Sequence, residues 1–503
     1  MTQQGALDKL PTGIPGFDLV ADGGLPAGRA TLIAGTAGSA KTVFASHFLA
    51  EGIITYGQTG VFVTFEDRAD DIRRNMLSFG WDIPGWEAAG KWVFVDAAPD
   101  PESPLAVVGD FDLGALLARV EHAVRKVGAA RVSLDSLNAL FVQFRDHALL
   151  RSELFRVIST LKRMGVTLVF TGERTEEYGE VSRYGIEEFV ADNVVILRNL
   201  LVDERRRRTL EILKMRGATH QRGEFPFTVT STGLIVLPLS GITLTQSSST
   251  VRIRSGSEEL DRMCGGGFFR DSIILLSGAT GTGKTLMVTQ FLAAGVEAGE
   301  RCLLFAFEES RDQFFRNAAA WGYDFARMEA EGRLKVVNTY PHAMAMEDHL
   351  VQMRDTIDAF GPQRVAVDSL SALERVTSVR AFREFVISFT SFLKKQETVG
   401  LFTSTTPSLL GGTSVTEKHI STLTDSIILL RYVESYGVMR RALTVLKMRG
   451  SAHDHDIREF AIDGEGMHIL EPFRDLSGVL SGRVTFLSPD VAAGERGEGE
   501  REG

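Results

Sequence analysis

The sequence predicts an α/β protein of two tandem domains, each a mainly parallel sheet flanked by helices. Three observations predict it. Two phosphate-cradling loops, Gly35–Thr42 and Gly278–Thr285, each follow a short apolar run. Matching motifs recur in the same order after each loop. Short strand-like runs alternate with helix-period stretches in both halves.

Taken in order, the first half opens with the lead-in Thr12–Asp18, answered by Ser255–Asp261 in the second. Strands are expected at Thr31–Ala34, Val61–Phe65, Trp92–Val95, Arg131–Leu134 and Thr167–Thr171, with helices at Leu113–Val127 and Leu149–Met164. Asn193–Arg198 and Thr209–Lys214 read as a terminal pair of strands. In the second half Ser272–Ser277 is a strand before the loop, Leu286–Ala294 a helix after it, and Ser378–Lys395 a helix before the strand Leu401–Ser404. Ser426–Arg431 and Ala442–Lys447 repeat the terminal pair. Phe65-Glu66-Asp67 matches Phe307-Glu308-Glu309, and Leu134-Asp135-Ser136-Leu137 matches Val367-Asp368-Ser369-Leu370. Lys214-Met215-Arg216-Gly217 matches Lys447-Met448-Arg449-Gly450, and the interval from Asp135 to Lys214 equals that from Asp368 to Lys447. Shared order over this length marks an internal duplication. The expected domains are 1–240 and 251–475, joined by a Ser/Thr-rich linker at 241–250 and followed by a segment and tail at 476–503.

Composition agrees. A chain of 503 residues is too long for one ordinary core. With 44% apolar residues, 24% charged residues and a net charge of −10, it is globular and acidic, which argues against sequence-independent nucleic-acid binding as its main task. Cys264 and Cys302 cannot make a disulfide framework and are expected as reduced core thiols. No signal segment and no apolar run of about eighteen residues occurs, so no membrane association and a cytoplasmic location are expected.

The chemistry starts at the loops. Gly278-Ala279-Thr280-Gly281-Thr282-Gly283-Lys284-Thr285 fits G-x-x-x-x-G-K-[ST]. Its glycines let backbone N–H groups turn onto phosphate oxygens, and the helix that follows adds its positive end. Lys284 would reach the β- and γ-phosphates and Thr285 would place a hydroxyl on Mg²⁺. Gly35-Thr36-Ala37-Gly38-Ser39-Ala40-Lys41-Thr42 echoes it, with Ala40 where the motif has Gly. A Cβ there either crowds the phosphate or suits the helix start, because Gly is required only where φ is positive or the approach is close. Asp135 and Asp368 end strand-like runs and could hold Mg²⁺ with Thr42 and Thr285; otherwise each caps a turn. Glu66 and Glu308, supported by Asp67 and Glu309, are the expected bases, with Glu308 also placed to touch the metal. The bland alternative is a solvated acidic turn. The Lys-Met-Arg-Gly tetrads lie far along the chain from their own loops. They are either ordinary basic strand ends or arms that reach the nucleotide of an adjacent subunit. Aligning Asp425 with Asp192 sets Ser421 and Thr422 opposite Glu188 and Phe189, so only the second half offers two adjacent hydroxyls. These are candidate phosphoryl acceptors, or a hydroxyl-rich turn.

On these residues the chain resembles the KaiC family, the double-domain RecA-like P-loop NTPases of the circadian clock. The resemblance covers about residues 8 to 480. Its most specific motifs are Glu173–Gly179, Glu187–Val190, Glu204–Leu210, His419–Asp425 and both tetrads. It implies a homohexamer of two stacked rings with ATP and Mg²⁺ between subunits. It implies an ATPase in the N-terminal ring and a serine/threonine autokinase and autophosphatase in the C-terminal ring. The family's phosphorylated pair corresponds to Ser421 and Thr422, and a third threonine matches Thr416. Lys214, Met215, Arg216, Lys447, Met448 and Arg449 would then contact ATP in trans, with Glu308 drawing the acceptor's proton and Glu66 orienting water. Phe473–Gly482 resembles the post-core segment of the family, but beyond Leu487 the chain is rich in Gly, Glu and Arg and is expected to be disordered. That puts KaiA in doubt as a partner and leaves a KaiB-like protein, with a response regulator or histidine kinase as output. The competing classes are a RecA-like nucleic-acid-dependent ATPase and a nucleotide-switched signalling scaffold without kinase activity.

Overall fold

The computed structural model describes residues 7–97, 113–139, 147–202, 204–241, 248–406, 420, 422–474, 476–479 and 485–486, the side chains of 147, 485 and 486 excepted. Ser421, Thr416, most of the linker and the tail beyond Leu487 lie outside the described residues. The chain forms two compact units, Met1–Gly241 and Ile242–Gly503.

Among the described residues each unit holds one nine-stranded sheet. The first contains β1 (Ala30–Gly35), β2 (Gly60–Thr64), β3 (Trp92–Asp96), β4 (Arg131–Asp135), β5 (Thr167–Glu173), β6 (Asn193–Val202), β7 (Arg205–Met215), β8 (Glu224–Thr230) and β9 (Gly233–Val236). Their spatial order is β3-β2-β4-β5-β1-β6-β7-β8-β9. The strands from β3 to β6 pair in parallel, and β7, β8 and β9 add antiparallel strands at one edge. In the second unit β10 (Ile273–Gly278), β11 (Cys302–Ala306), β12 (Leu334–Asn338), β13 (Arg364–Asp368), β14 (Val399–Thr405), β15 (Ser426–Ser435), β16 (Val438–Met448), β17 (Arg458–Asp463) and β18 (Gly466–Pro472) take the order β12-β11-β13-β14-β10-β15-β16-β17-β18. The two topologies are the same.

Every residue of β1 and β10 is buried, as expected of central parallel strands covered on both faces. On one face of the first sheet, helix α1 (Lys41–Ile54) packs Phe44, Phe48 and Ile53 with Ile33, Phe62 and Val195. On the other, α2 (Leu113–Val127) and α3 (His147–Arg163) bring Leu116, Val120, Leu154 and Leu161 onto Leu32, Val63 and Phe170. In the second unit, helix α4 (Lys284–Glu297) sets Leu286, Phe291 and Leu292 against Ile274, Leu276 and Leu304. The helix expected from Ser378 is α5 (Val379–Lys395), with the Ser378 side chain capping the Ala381 N–H.

The expected terminal pair of strands is longer than expected, and two further strands follow it in each half. Arg205–Arg208 hides the start of β7 because a charged run scores as loop, yet its residues pair with Val202 through Asn199. Pro226 disguises β8, which accommodates it where the strand passes from β7 to β9 as partner. Both β6–β7 and β15–β16 carry a register shift at the tetrad, between Val194 and Val195 and between Ile427 and Ile428. The extra residues, Leu213 and Leu446, turn outward and are each 46% exposed.

Candidate nucleotide and acceptor sites

Each phosphate loop leaves the carboxyl end of the central strand, where ligands bind in open parallel sheets. At Gly35 and Gly278 a Cβ would come within 2.6 Å of the carbonyl oxygens of Leu197 and Leu430, so the loop can begin only with glycine. Ala37 and Gly38, like Thr280 and Gly281, are exposed at the loop top, while the hydroxyls of Ser39 and Thr282 turn inward onto the carbonyls of Thr36 and Ala279, each at 2.8 Å. The Lys41 ammonium donates to the carbonyls of Gly35 and Thr36, and Lys284 donates to those of Gly278 and Ala279, all at 2.9 Å. Burial lowers the proton affinity of both lysines, against nearby carboxylates that favour the charge.

Ala40 resolves the alternatives left open by its sequence. It takes φ +72°, a left-handed conformation like that of its counterpart Gly283 at φ +102°. The position therefore wants glycine for its backbone. Its Cβ joins the apolar cluster that holds Phe227, Leu234 and Val236 rather than the loop mouth. At Gly283 the same direction is filled by Ile462 and Met467, 2.8 and 3.0 Å from an added Cβ.

Thr285 donates to Asp368 at 2.8 Å, and Thr403 holds the other carboxylate oxygen at 2.5 Å. In the first half Thr171 donates to Asp135 and Thr42 bonds to the same carboxylate. Burial raises the proton affinity of both aspartates even though these hydroxyls and the loop lysines favour the anion. A divalent cation is the charge such a site fits, and the donors are all hard oxygens.

The paired acids separate by environment. Glu66 accepts from Ser136 at 2.8 Å, and burial foremost, with Asp135, Glu173 and Asp67 nearby, raises its pKa. Asp67 contributes its carbonyl to the Thr64 hydroxyl at 2.5 Å. Glu308 is ion-paired to Arg375, whereas burial and then Asp368 raise the pKa of Glu309, whose carboxylate Asn317 holds at 3.1 Å.

The tetrads sit away from their own loops. Met448 is level with Ser426, and Ser426 with Ile274, whereas the loop begins at Gly278. Four residues of strand separate them, about 13 Å along the sheet. Met215 stands likewise level with Asn193 and Thr31. The turn that holds Thr422 is at the tetrad end: Lys447 donates to the Thr424 carbonyl at 2.7 Å and Arg449 to the Thr422 carbonyl at 2.8 Å. Thr422 is exposed. Lys214 donates to the Ala191 carbonyl at 3.0 Å and the Glu188 carbonyl at 3.2 Å, and Phe189 lies under the Arg151 guanidinium. Burial, then the arginine of the same tetrad, lowers the pKa of Lys214 and Lys447.

Several neighbours escaped the site reading. Glu177 accepts from Thr36 of the first loop at 2.6 Å and from the Asn199 N–H at 3.0 Å. Glu173 bears on Lys41 and Glu66. Arg375 holds Glu308. The Tyr432 hydroxyl lies 2.8 Å from a Cβ built on Gly281. A histidine also follows both tetrads at one spacing, His220 and His453, a repeat legible in the sequence. No helix among the described residues is long and apolar enough to cross a membrane.

Comparison with known proteins matches both halves to one family. The family described as "ATPase: KaiC" matches residues 10–241 and again 253–474. The chain is 66% identical to circadian clock protein KaiC3 of Synechocystis sp., over 96% of this chain and 95% of that protein. It is 53% identical to the circadian clock oscillator protein KaiC of Thermostichus vulcanus, over 96% and 93%. With the KaiC of Synechococcus elongatus the identity is 52%, over 96% and 93%.

Proposed function

The chain belongs to the KaiC ATPase family, and we propose that it assembles as a homohexamer whose first half hydrolyses ATP while its second half phosphorylates and dephosphorylates Ser421 and Thr422 of a neighbouring subunit. One observation carries this reading. The tetrad and Thr422 lie at the far end of the sheet from the phosphate loop of their own unit. Acceptor and nucleotide meet most directly when a second copy supplies one of them.

Within the second half, the amides of Gly278–Thr285 and the Lys284 ammonium would hold the triphosphate. Mg²⁺ would be held by Thr285 and Asp368, with Glu308 beside it. When bound, it neutralises charge between the β- and γ-phosphates. Glu308, oriented by Arg375, takes the hydroxyl proton of the incoming Ser421 or Thr422. The acceptor oxygen bonds to the γ-phosphorus, the bond to the bridging oxygen breaks, and ADP leaves. Lys447 and Arg449 face charge on the transferring group. In the first half Glu66, held by Ser136, orients water in place of a hydroxyl. The relatives named for the circadian clock suggest a timing role, with a KaiB-like protein as partner and a response regulator or histidine kinase as output.

The test is to incubate the protein with Mg-ATP alone and map phosphate on the peptide spanning residues 416–426. Phosphate on Ser421 or Thr422, absent in Glu308→Gln, is the expected result. No phosphate while ATP is still hydrolysed would overturn the autokinase.

A further inference from the structure

The two halves differ in how they hold the tetrad arginine. Asp192 and Asp425 are equivalent: each accepts the backbone N–H of the first central-strand residue, Ala30 at 3.1 Å and Ile273 at 2.8 Å. Each also takes a lysine from the preceding long helix, Lys162 at 2.6 Å and Lys394 at 2.8 Å. In the first half a third cation, Arg29, occupies Asp192 at 3.3 Å. Among the described residues, the Arg216 side chain then makes no hydrogen bond or ion pair; only its backbone N–H reaches the Asp192 carbonyl, at 3.3 Å. In the second half Ser272 stands where Arg29 does, with its hydroxyl turned to the Phe269 carbonyl at 2.6 Å. With no arginine at that position, Asp425 Oδ1 is shared by Lys394 at 3.0 Å and Arg449 at 3.7 Å, and the Arg449 guanidinium also donates to the Thr422 carbonyl.

We propose that Asp425 is a positioning residue for phosphoryl transfer: with the Thr422 carbonyl it ties Arg449 to the acceptor turn, so that the arginine and the acceptor hydroxyl reach the neighbouring nucleotide as one unit. The inference rests on the autokinase reading. The first half, which has no acceptor hydroxyl at 188 or 189, uses Arg29 to leave Arg216 unattached. The tether sets geometry, so its loss falls on the rate at saturating ATP and not on nucleotide capture.

The test compares Ser272→Arg, Asp425→Asn, Arg449→Lys and the double variant Asp425→Asn/Arg449→Lys with wild type, reading phosphate on the 416–426 peptide against ATP concentration. Ser272→Arg installs the first half's cation beside Asp425, and Arg449→Lys, on a side chain 53% exposed, guards against simple misfolding. Each single variant is expected to slow phosphorylation roughly tenfold at saturating ATP, with half-saturating ATP little changed. The double variant should be no slower than Arg449→Lys, because Asp425 acts through that arginine. Losses that multiply in the double variant, an unaffected Ser272→Arg rate, or a raised half-saturating ATP with normal maximal rate would each overturn the tether. Wild-type protein that takes no phosphate overturns the autokinase reading itself, and the tether with it.

Discussion

Ala40 shows how much one methyl group can weigh. Holding a residue with a Cβ at φ +72° costs about 1 kcal/mol, and the surrounding loop imposes it. Ala40→Gly should therefore stabilise the first unit by up to about 1 kcal/mol, seen as a raised melting temperature. Gly283→Ala should cost more, because its Cβ would also press on Ile462 and Met467. The thiols make a second residue-scale case. Burial foremost pushes Cys264 and Cys302 up from 9.0 to about 12, so they stay protonated at pH 8 and should resist iodoacetamide until the chain unfolds. Their contribution to stability is full below the ordinary thiol value and is lost as pH climbs toward about 12, so melting temperature should fall across that alkaline interval. At this scale the loops and their aspartates were legible, because phosphate chemistry demands those residue types in a contiguous order. Glu177 and Arg375 were not, because only folding brings them to Thr36 and Glu308.

Among the elements, β4 and β13 each begin with a buried arginine that reads in the sequence as a strand edge. Arg364 is 2% exposed and bonds Glu300 at 2.5 Å and the carbonyls of Arg254 and Phe291 at 2.7 and 2.9 Å. Arg131 meets Gln58 at 2.6 Å and the carbonyls of Pro11, Thr12 and Phe48. Burial foremost lowers its pKa to about 10. These side chains pin the lead-in segment and the helix after each phosphate loop to the sheet. Gly52 and Gly295 make room, since a Cβ at either would lie 2.6 Å from the arginine's Cδ. Arg364→Ala should cost about 3–5 kcal/mol in denaturant unfolding, because Glu300 would lose its closest buried counter-charge and two carbonyls a donor. Apolar runs announced the parallel strands. Of the antiparallel edge, Thr209–Lys214 was legible, but the start of that strand at Arg205–Arg208 and the Pro226 strand beyond it stayed hidden, where long-range pairing outweighs local preference.

For the whole molecule, the duplication lets the two proposed activities be addressed separately. Lys284→Ala should abolish phosphorylation while the first half still turns over ATP, and Lys41→Ala should lower hydrolysis without removing the acceptor. Mixed assemblies test direction. Lys284→Ala subunits carry intact hydroxyls, and Ser421→Ala/Thr422→Ala subunits carry an intact second loop; co-assembled, they should place phosphate on the Lys284→Ala chains alone. Lys284→Ala chains that stay free of phosphate in these mixtures, while wild-type protein takes it, would refute transfer between copies. Loop and tetrad stand about 13 Å apart along one sheet, so under the proposed transfer between copies a solitary chain would be a loaded donor with nothing to act upon. Dilution would then act as an inhibitor, and specific activity would climb steeply with protein concentration until every chain had found a neighbour.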